Sequence, residues 1–200
     1  AAFFTIFYVP MVPIIIFIFK KDFLHWSVWP SVILCLIGGY LLTNFQDATV
    51  RLGDTLVVLG ALFWSTHIIF TGMIIKKYNL PLTIGAIQTL LVALFSFIIG
   101  LFSEEFVIDN ILNEIDSILY AGILSGGFAF VLQIYAQRNI TPAPAAIIFS
   151  LEGVFATIAA WFLLNQILGI NNLLGCFFIL SGVLVSVSYT HLRAHETPVN

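Results

Sequence analysis

The run TPAPAAIIFSLEGVFATIAAWFLL, residues 141–164, constrains this chain more than any other stretch. Thr141 suits a helix N-cap and Pro142 the first helical position, where a missing N–H costs nothing. After Ala143 the run stays apolar long enough to cross a bilayer, roughly 20 residues at about 1.5 Å each. One carboxylate, Glu152, interrupts it about 15 Å beyond Pro142, half the depth of a hydrocarbon core roughly 30 Å thick. An acid at that depth costs a few kcal/mol or more, so Glu152 is expected to face protein or a cavity. Ala145, Ala156 and Ala159 lie seven residues before it and four and seven after it, small enough to admit another helix. A hydrogen-bonded carboxyl between helices would meet these constraints, and so would a substrate or proton site.

Six more apolar runs accompany this one, giving seven helices: A at 1–19, B at 27–44, C at 54–75, D at 82–102, E at 117–137, F at 143–164 and G at 169–188. With 60% hydrophobic and 8% charged residues, no soluble domain of 200 residues could hide its apolar surface, so the fold class is an all-α polytopic membrane protein. The runs lack strand-like alternation, which disfavours an outer-membrane barrel. The net charge of −3 says nothing about nucleic acid, but there is no basic patch to bind phosphates, so none is expected as a partner. Cys35 and Cys176 stand alone in apolar runs, with no metal-ligand spacing, and read as small core residues.

Lys and Arg set the orientation. Lys20 and Lys21 follow helix A, Lys76 and Lys77 follow C, and Arg138 follows E, all on one side of the membrane. The opposite loops hold Arg51 among Asp47, Asp54, Glu104, Glu105, Asp109, Glu114 and Asp116. Basic residues mark the cytoplasmic side, so helix A begins outside and an odd number of helices is expected before it. The absence of an initial Met also reads as a fragment.

The chain repeats itself at an offset of 144 residues. AAFFTIFYVPMVPIIIFIF at 1–19 aligns without gaps on AAIIFSLEGVFATIAAWFL at 145–163, and at the same offset Gly38 falls on Gly182 and Tyr8 on Glu152. Helices A and B are thus echoed five helices later by F and G, and an odd spacing inverts the copy across the membrane. Inverted repeats are how many secondary transporters build two conformations around a midplane site. The domain reading is therefore 1–44 as the last two helices of one repeat and 54–187 as a second, five-helix repeat.

Three segments resemble a known family. LGALFWSTHIIFTGMIIKKYN resembles the opening helix of the second repeat in the drug/metabolite transporter superfamily, EamA type. QRNITPAPAAIIFSLEGVFATIAAWFLL resembles its next-to-last helix, and AAFFTIFYVPMVPI the fourth helix of its first repeat. The resemblance implies a ten-helix inverted-repeat transporter bundle, seven of whose helices are present, with both ends cytoplasmic. It implies a carrier of small molecules without naming one. Gly153 stands where the family usually has Pro, and Gln166 where a Gly-Glu pair is common.

Other polar residues at depth are candidates for the same site. Trp64, His67 and Thr71 share one face of helix C. Gln88 on D, and Gln133 with Gln137 on E, are suited either to cargo or to interhelical hydrogen bonds. Pro10 and Pro13 break helix A just beyond Tyr8 and free carbonyls there. Gly122 and Gly126 read as a GxxxG packing contact.

No HExxH, GxSxG or paired carboxylates occur at depth, so the chain does not read as an enzyme, and no cofactor or metal is expected. The reading is a secondary-active transporter in a bacterial inner membrane, working by alternating access around a midplane cavity, with a passive channel or structural membrane subunit as the alternative. Its binding and proton-coupling candidates are Glu152, His67, Trp64, Tyr8, Gln88 and Gln133. Its partners are a small-molecule substrate and the lipid bilayer. Residues 188–200, SYTHLRAHETPVN, resemble a translated sequencing adaptor and are expected to be an artefact despite the spacing of His191 and His195.

Overall fold

A computed structural model describes residues 2–20, 24–43 and 52–196, and side chains at 4–19, 24–43 and 52–188. Every regular element among them is helical: α1 (Ala2–Thr5), α2 (Tyr8–Lys20), α3 (Val28–Leu42), α4 (Leu52–Tyr78), α5 (Pro81–Ser103), α6 (Ile108–Asn113) and α7 (Ile115–Leu119). After these come a π-helical segment (Tyr120–Ala129), α8 (Phe130–Gln137), α9 (Pro142–Phe149), α10 (Leu151–Leu164) and α11 (Ile170–Glu196). Five helical stretches are long and apolar enough to cross a membrane: Leu52–Tyr78, Pro81–Ser103, Ile115–Gln137, Pro142–Leu164 and Ile170–Ser188. Tyr8–Phe19 and Val28–Leu42 are apolar but shorter. The protein is a polytopic helical membrane protein. Lys21, Asp47 and Arg51, used above to orient it, lie outside the described residues, as do the side chains of His191 and His195.

Two turns show how the chain reverses. α4 ends at Asn79 and α10 at Asn165, with φ of 54° and 51°, a left-handed conformation that Asn tolerates better than most residues. Pro81 then opens α5 at its first turn, where its missing N–H is harmless. At the other end of the Glu152 run, Thr141 occupies the N-cap position with extended backbone and Pro142 follows it, but the Thr141 side chain makes no capping bond.

The described chain forms two compact units. The first contains residues 1–70 and 141–200, the second residues 71–140. In the second, α5 packs on α8 and on the π-helical segment, with Gly85 closely approached by Val131 and Ile134. The π-helical segment differs from the packing expected of Gly122 and Gly126. A side-chain carbon added at Gly122 would meet nothing within 4 Å, and one at Gly126 only the Ala121 carbonyl of its own segment. Those glycines make no helix–helix contact among the described residues.

The first unit carries the repeat. Helix A of the sequence is two helices, α1 and α2, and run F is likewise α9 and α10. The interruptions fall at the same register, since Thr5 and Phe149, the last residues of α1 and α9, are 144 apart. Each is closed by the same short bond. Val9 N–H donates to Ile6 O at 2.9 Å, and 144 residues on Gly153 N–H donates to Ser150 O at 3.1 Å. The break in helix A falls before Tyr8 and not beyond it, since α2 runs unbroken through Pro10 and Pro13, and different residues cause the two breaks. Pro10 has no N–H with which to continue the ladder to Ile6, whereas Ser150 turns its hydroxyl onto Ile147 O at 2.6 Å and competes with the backbone.

α3 crosses α11 so closely that side chains are excluded. A carbon added at Gly38 would stand 2.6 Å from Gly175 O, one at Gly175 2.8 Å from Gly38 O, and one at Gly182 2.8 Å from Ser31 O. These contacts exchange under the offset of 144, because Ser31 maps on Gly175 and Gly38 on Gly182. The pair Gly38 with Ile179 likewise exchanges with Cys35 and Gly182. Contacts that swap partners in this way mark a two-fold relation. Since Gly38 meets Gly175 while the earlier Ser31 meets the later Gly182, the helices run antiparallel and the axis is perpendicular to them.

Candidate substrate cavity

The helix breaks place functional groups at one level. Tyr8 is the first residue of α2 and Glu152 the second of α10, each just past its break. Tyr8 is only 2% exposed, and its hydroxyl has no hydrogen-bond partner among the described residues. It lies within electrostatic reach of the Glu152 carboxylate and the Cys35 thiol. Ser150 Oγ sits 3.4 Å from Cys35 Sγ, tying the break in run F to α3. On the other side, Ser65 of α4 donates to Ala61 O at 2.7 Å and stands 3.4 Å from the carbonyl of Tyr8.

In front of this level lies a cavity of about 510 Å³, within the roughly 300–1,000 Å³ range of small-molecule sites. Glu152 lines it and is exposed there, facing a cavity as the cost of an acid at depth requires. Thr5 and Ser150 lie at the breaks, Thr157 partway along α10, and Gln166 and Asn172 beyond its end. At about 1.5 Å per residue, the 14 residues of α10 span roughly 20 Å. Thr43, just past α3, also lines it. Ile6, Leu42, Ala156 and Ile179 supply apolar wall.

The six sequence candidates do not converge on this space. Glu152 lines it, while Tyr8 is buried behind it. Trp64 and His67 stack on one another with ring centroids 5.0 Å apart and 18° between planes, but neither lines the cavity. Gln88 and Gln133 belong to the second unit, on α5 and α8, where Gln133 Nε2 is buried without a hydrogen-bond partner among the described residues. The small residues around Glu152 also divide: Ala145 is buried, Ala156 lines the cavity and Ala159 is exposed. Thr43, Thr157 and Asn172 were not legible as site residues. Thr43 and Asn172 sit near helix ends, where hydroxyls and amides are common, and Thr157 is a lone hydroxyl in the middle of α10.

The profile of the EamA-like transporter family matches residues 51–188. The chain belongs to that family. It is similar to an uncharacterized transporter of Archaeoglobus fulgidus, 29% identical over 92% of this chain and 59% of the relative. It is also similar to the uncharacterized transporter YoaV of Bacillus subtilis, 27% identical over 76% of this chain and 52% of YoaV. The protein WALLS ARE THIN 1 of Arabidopsis thaliana is 27% identical over 80% of this chain. The chain thus spans between half and three fifths of the two microbial transporters.

The sequence resemblance implies Pro at position 153, yet with Gly153 there the break is formed without it, by Ser150. Proline in a first helical turn is tolerated, and an added carbon at Gly153 meets only the flexible tips of Leu42 at 3.3 Å and Ile179 at 3.7 Å. Gly153→Pro loses one bond to Ser150 O and gains rigidity, so stability should change by no more than about 1 kcal/mol. Ala159→Pro, inside α10, should cost about 3 kcal/mol. Thermal melts of the two variants check the contrast, and similar losses would mean that the break at Ser150 is not a true helix start.

Proposed function

We propose that this EamA-family protein is part of a secondary-active carrier that moves small metabolites or drug-like solutes across a cytoplasmic membrane. The observation that carries this reading is the cavity holding Glu152 at the level where both repeat copies break. Interrupted helices at a repeat interface are where such carriers place their sites, and an acid lining a cavity at that depth needs a proton or a polar ligand to complete it. The close α3–α11 crossing supports alternating access by giving the two copies a shared contact about which to rock. Glu152 would carry the coupling proton, with Tyr8 a titratable neighbour within its electrostatic reach in the first unit. His67, Trp64, Gln88 and Gln133 remain second candidates for cargo contact.

Flux into proteoliposomes tests the reading. A carrier coupled through Glu152 should accumulate solute in response to an imposed proton gradient, and Glu152→Gln, which keeps size but removes the titratable group, should lose that response while still inserting. A channel or structural subunit would show flux that follows only the solute's own gradient, or none.

A further inference from the structure

In the second unit, the chain leaving α5 turns back toward the membrane. Glu104 N–H donates to Gly100 O at 2.9 Å, closing the helix, and Glu104 and Val107 have extended backbone. Between them the chain doubles back on α5. The Phe106 ring lies 6.2 Å from that of Phe97, and a carbon added at Gly100 would stand 3.6 Å from it. Gly100 and Phe97 precede the last residue of α5, Ser103, by three and six positions, so Phe106 reaches roughly 5–9 Å back along the helix. α6 starts from that level. Ile108, Ile111 and Leu112 fall on one face of it, at i, i+3 and i+4, with Asp109, Asn110 and Asn113 on the other. The three apolar side chains are exposed, as is Phe106. At Glu114, with φ of −107° and ψ of 15°, the helix is interrupted, and the Ser117 hydroxyl donates to the Glu114 carboxylate at 3.1 Å. The next span, Ile115–Gln137, begins there, so α6 is held at the membrane surface between two crossings. From Ser103 to Leu119 the chain carries five carboxylates and no Lys, Arg or His.

We propose that residues 106–113 form an in-plane membrane anchor, docked on the bilayer face opposite Lys76 and Lys77, whose partner is a zwitterionic lipid surface. The depth fits, because an amphipathic helix at the interface buries its apolar face about 5–10 Å into the headgroup–acyl boundary, and Phe106 is already held at such a level. Lipid is the occupant because the face continues exposed apolar surface on either side, Ile99 and Phe102 of α5 and Ile123 of the next span. The charge decides which lipid. In-plane helices commonly use Lys and Arg to hold anionic headgroups, and each such residue near the surface adds attraction. Here Glu104, Glu105, Asp109 and Glu114 border the apolar face with no cation to offset them, so an anionic surface repels the segment. Apolar burial holds it down and the carboxylates keep its other face in water. Docking of this kind requires that the chain cross the membrane and is independent of what it carries.

Spin labels on the full chain in phosphatidylcholine liposomes test it. Single cysteines replace Ile108, Asp109, Asn110, Ile111, Leu112 and Asn113 in turn, with Cys35 and Cys176 changed to alanine, and collision with oxygen is compared with collision with a water-soluble nickel chelate. Labels at Ile108, Ile111 and Leu112 should favour oxygen, with an oxygen-to-nickel ratio at least about threefold above that at Asp109, Asn110 and Asn113. Replacing half of the lipid by phosphatidylglycerol should lower the ratio at Ile111 at least about twofold, and about 0.5 M salt should restore it by screening. Equal nickel access at all six positions would make the segment a solvated loop and overturn the proposal. Exclusion of both reagents from the three apolar positions would assign the face to protein, a second copy included, and overturn it as well. A ratio at Ile111 that is indifferent to phosphatidylglycerol would overturn the choice of lipid. Because the readout is a pattern over six exposed positions, one misfolded variant does not decide it.

Discussion

Gly38→Leu is expected to drive α3 from α11 and lower the melting temperature by roughly 2–12 °C, from an overpacking cost of about 1–3 kcal/mol in a chain of this size. The reason lies in what the new side chain would meet. At Gly38 the first added carbon already stands 2.6 Å from a backbone oxygen of α11 and 2.9 Å from the Ile179 nitrogen. Backbone cannot rotate aside as a side-chain tip can, so a helix must move. Gly175→Leu should cost a similar amount, because the contact is reciprocal. Gly60→Leu is the control: nothing lies within 4 Å of a carbon added there, and leucine suits a helix better than glycine. Thermal melts of the detergent-solubilised protein decide it. Gly38→Leu melting with the unmodified protein would show that the crossing is loose and would remove the contact about which the copies are proposed to rock.

Labelling of single cysteines should be nearly all-or-none. If the basic residues mark the cytoplasm, a cysteine after α4 is shielded by the membrane from impermeant thiol reagents outside intact cells, while one at Asp109 of α6 reacts. Asn79 itself is a poor probe, since its φ of 54° strains a cysteine, whereas Leu80 beside it is 55% exposed with φ of −122°. Asp109 is exposed as well. The expected result is labelling of Asp109→Cys alone, in a background with Cys35 and Cys176 replaced, and labelling of Leu80→Cys on permeabilisation. The reverse pattern would invert the topology. It would also turn the cavity's Gln166 and Asn172 end from the outside to the cytoplasm.

What the sequence determined by itself is the class and the register. Apolar runs of spanning length require helices that satisfy their own backbone in lipid, so five of the seven segments, their order and the family were legible from hydropathy and from runs such as ITPAPAAIIFSLEGVFA, while the first two runs form shorter helices. The offset of 144 was legible too, because Gly38 and Gly182 mark where backbones touch. Which face each helix buries was not. These helices are apolar nearly all round, so no polar stripe distinguishes lipid from protein, and Gly122 with Gly126 read as packing glycines while standing clear of any neighbour. Only the tertiary structure separated Glu152, which lines the cavity, from its repeat mate Tyr8, which is sealed behind it. Likewise, the direction of each hydroxyl proton on Thr43, Ser150 and Thr157 is fixed by the carbonyl one turn earlier, which only the folded backbone supplies.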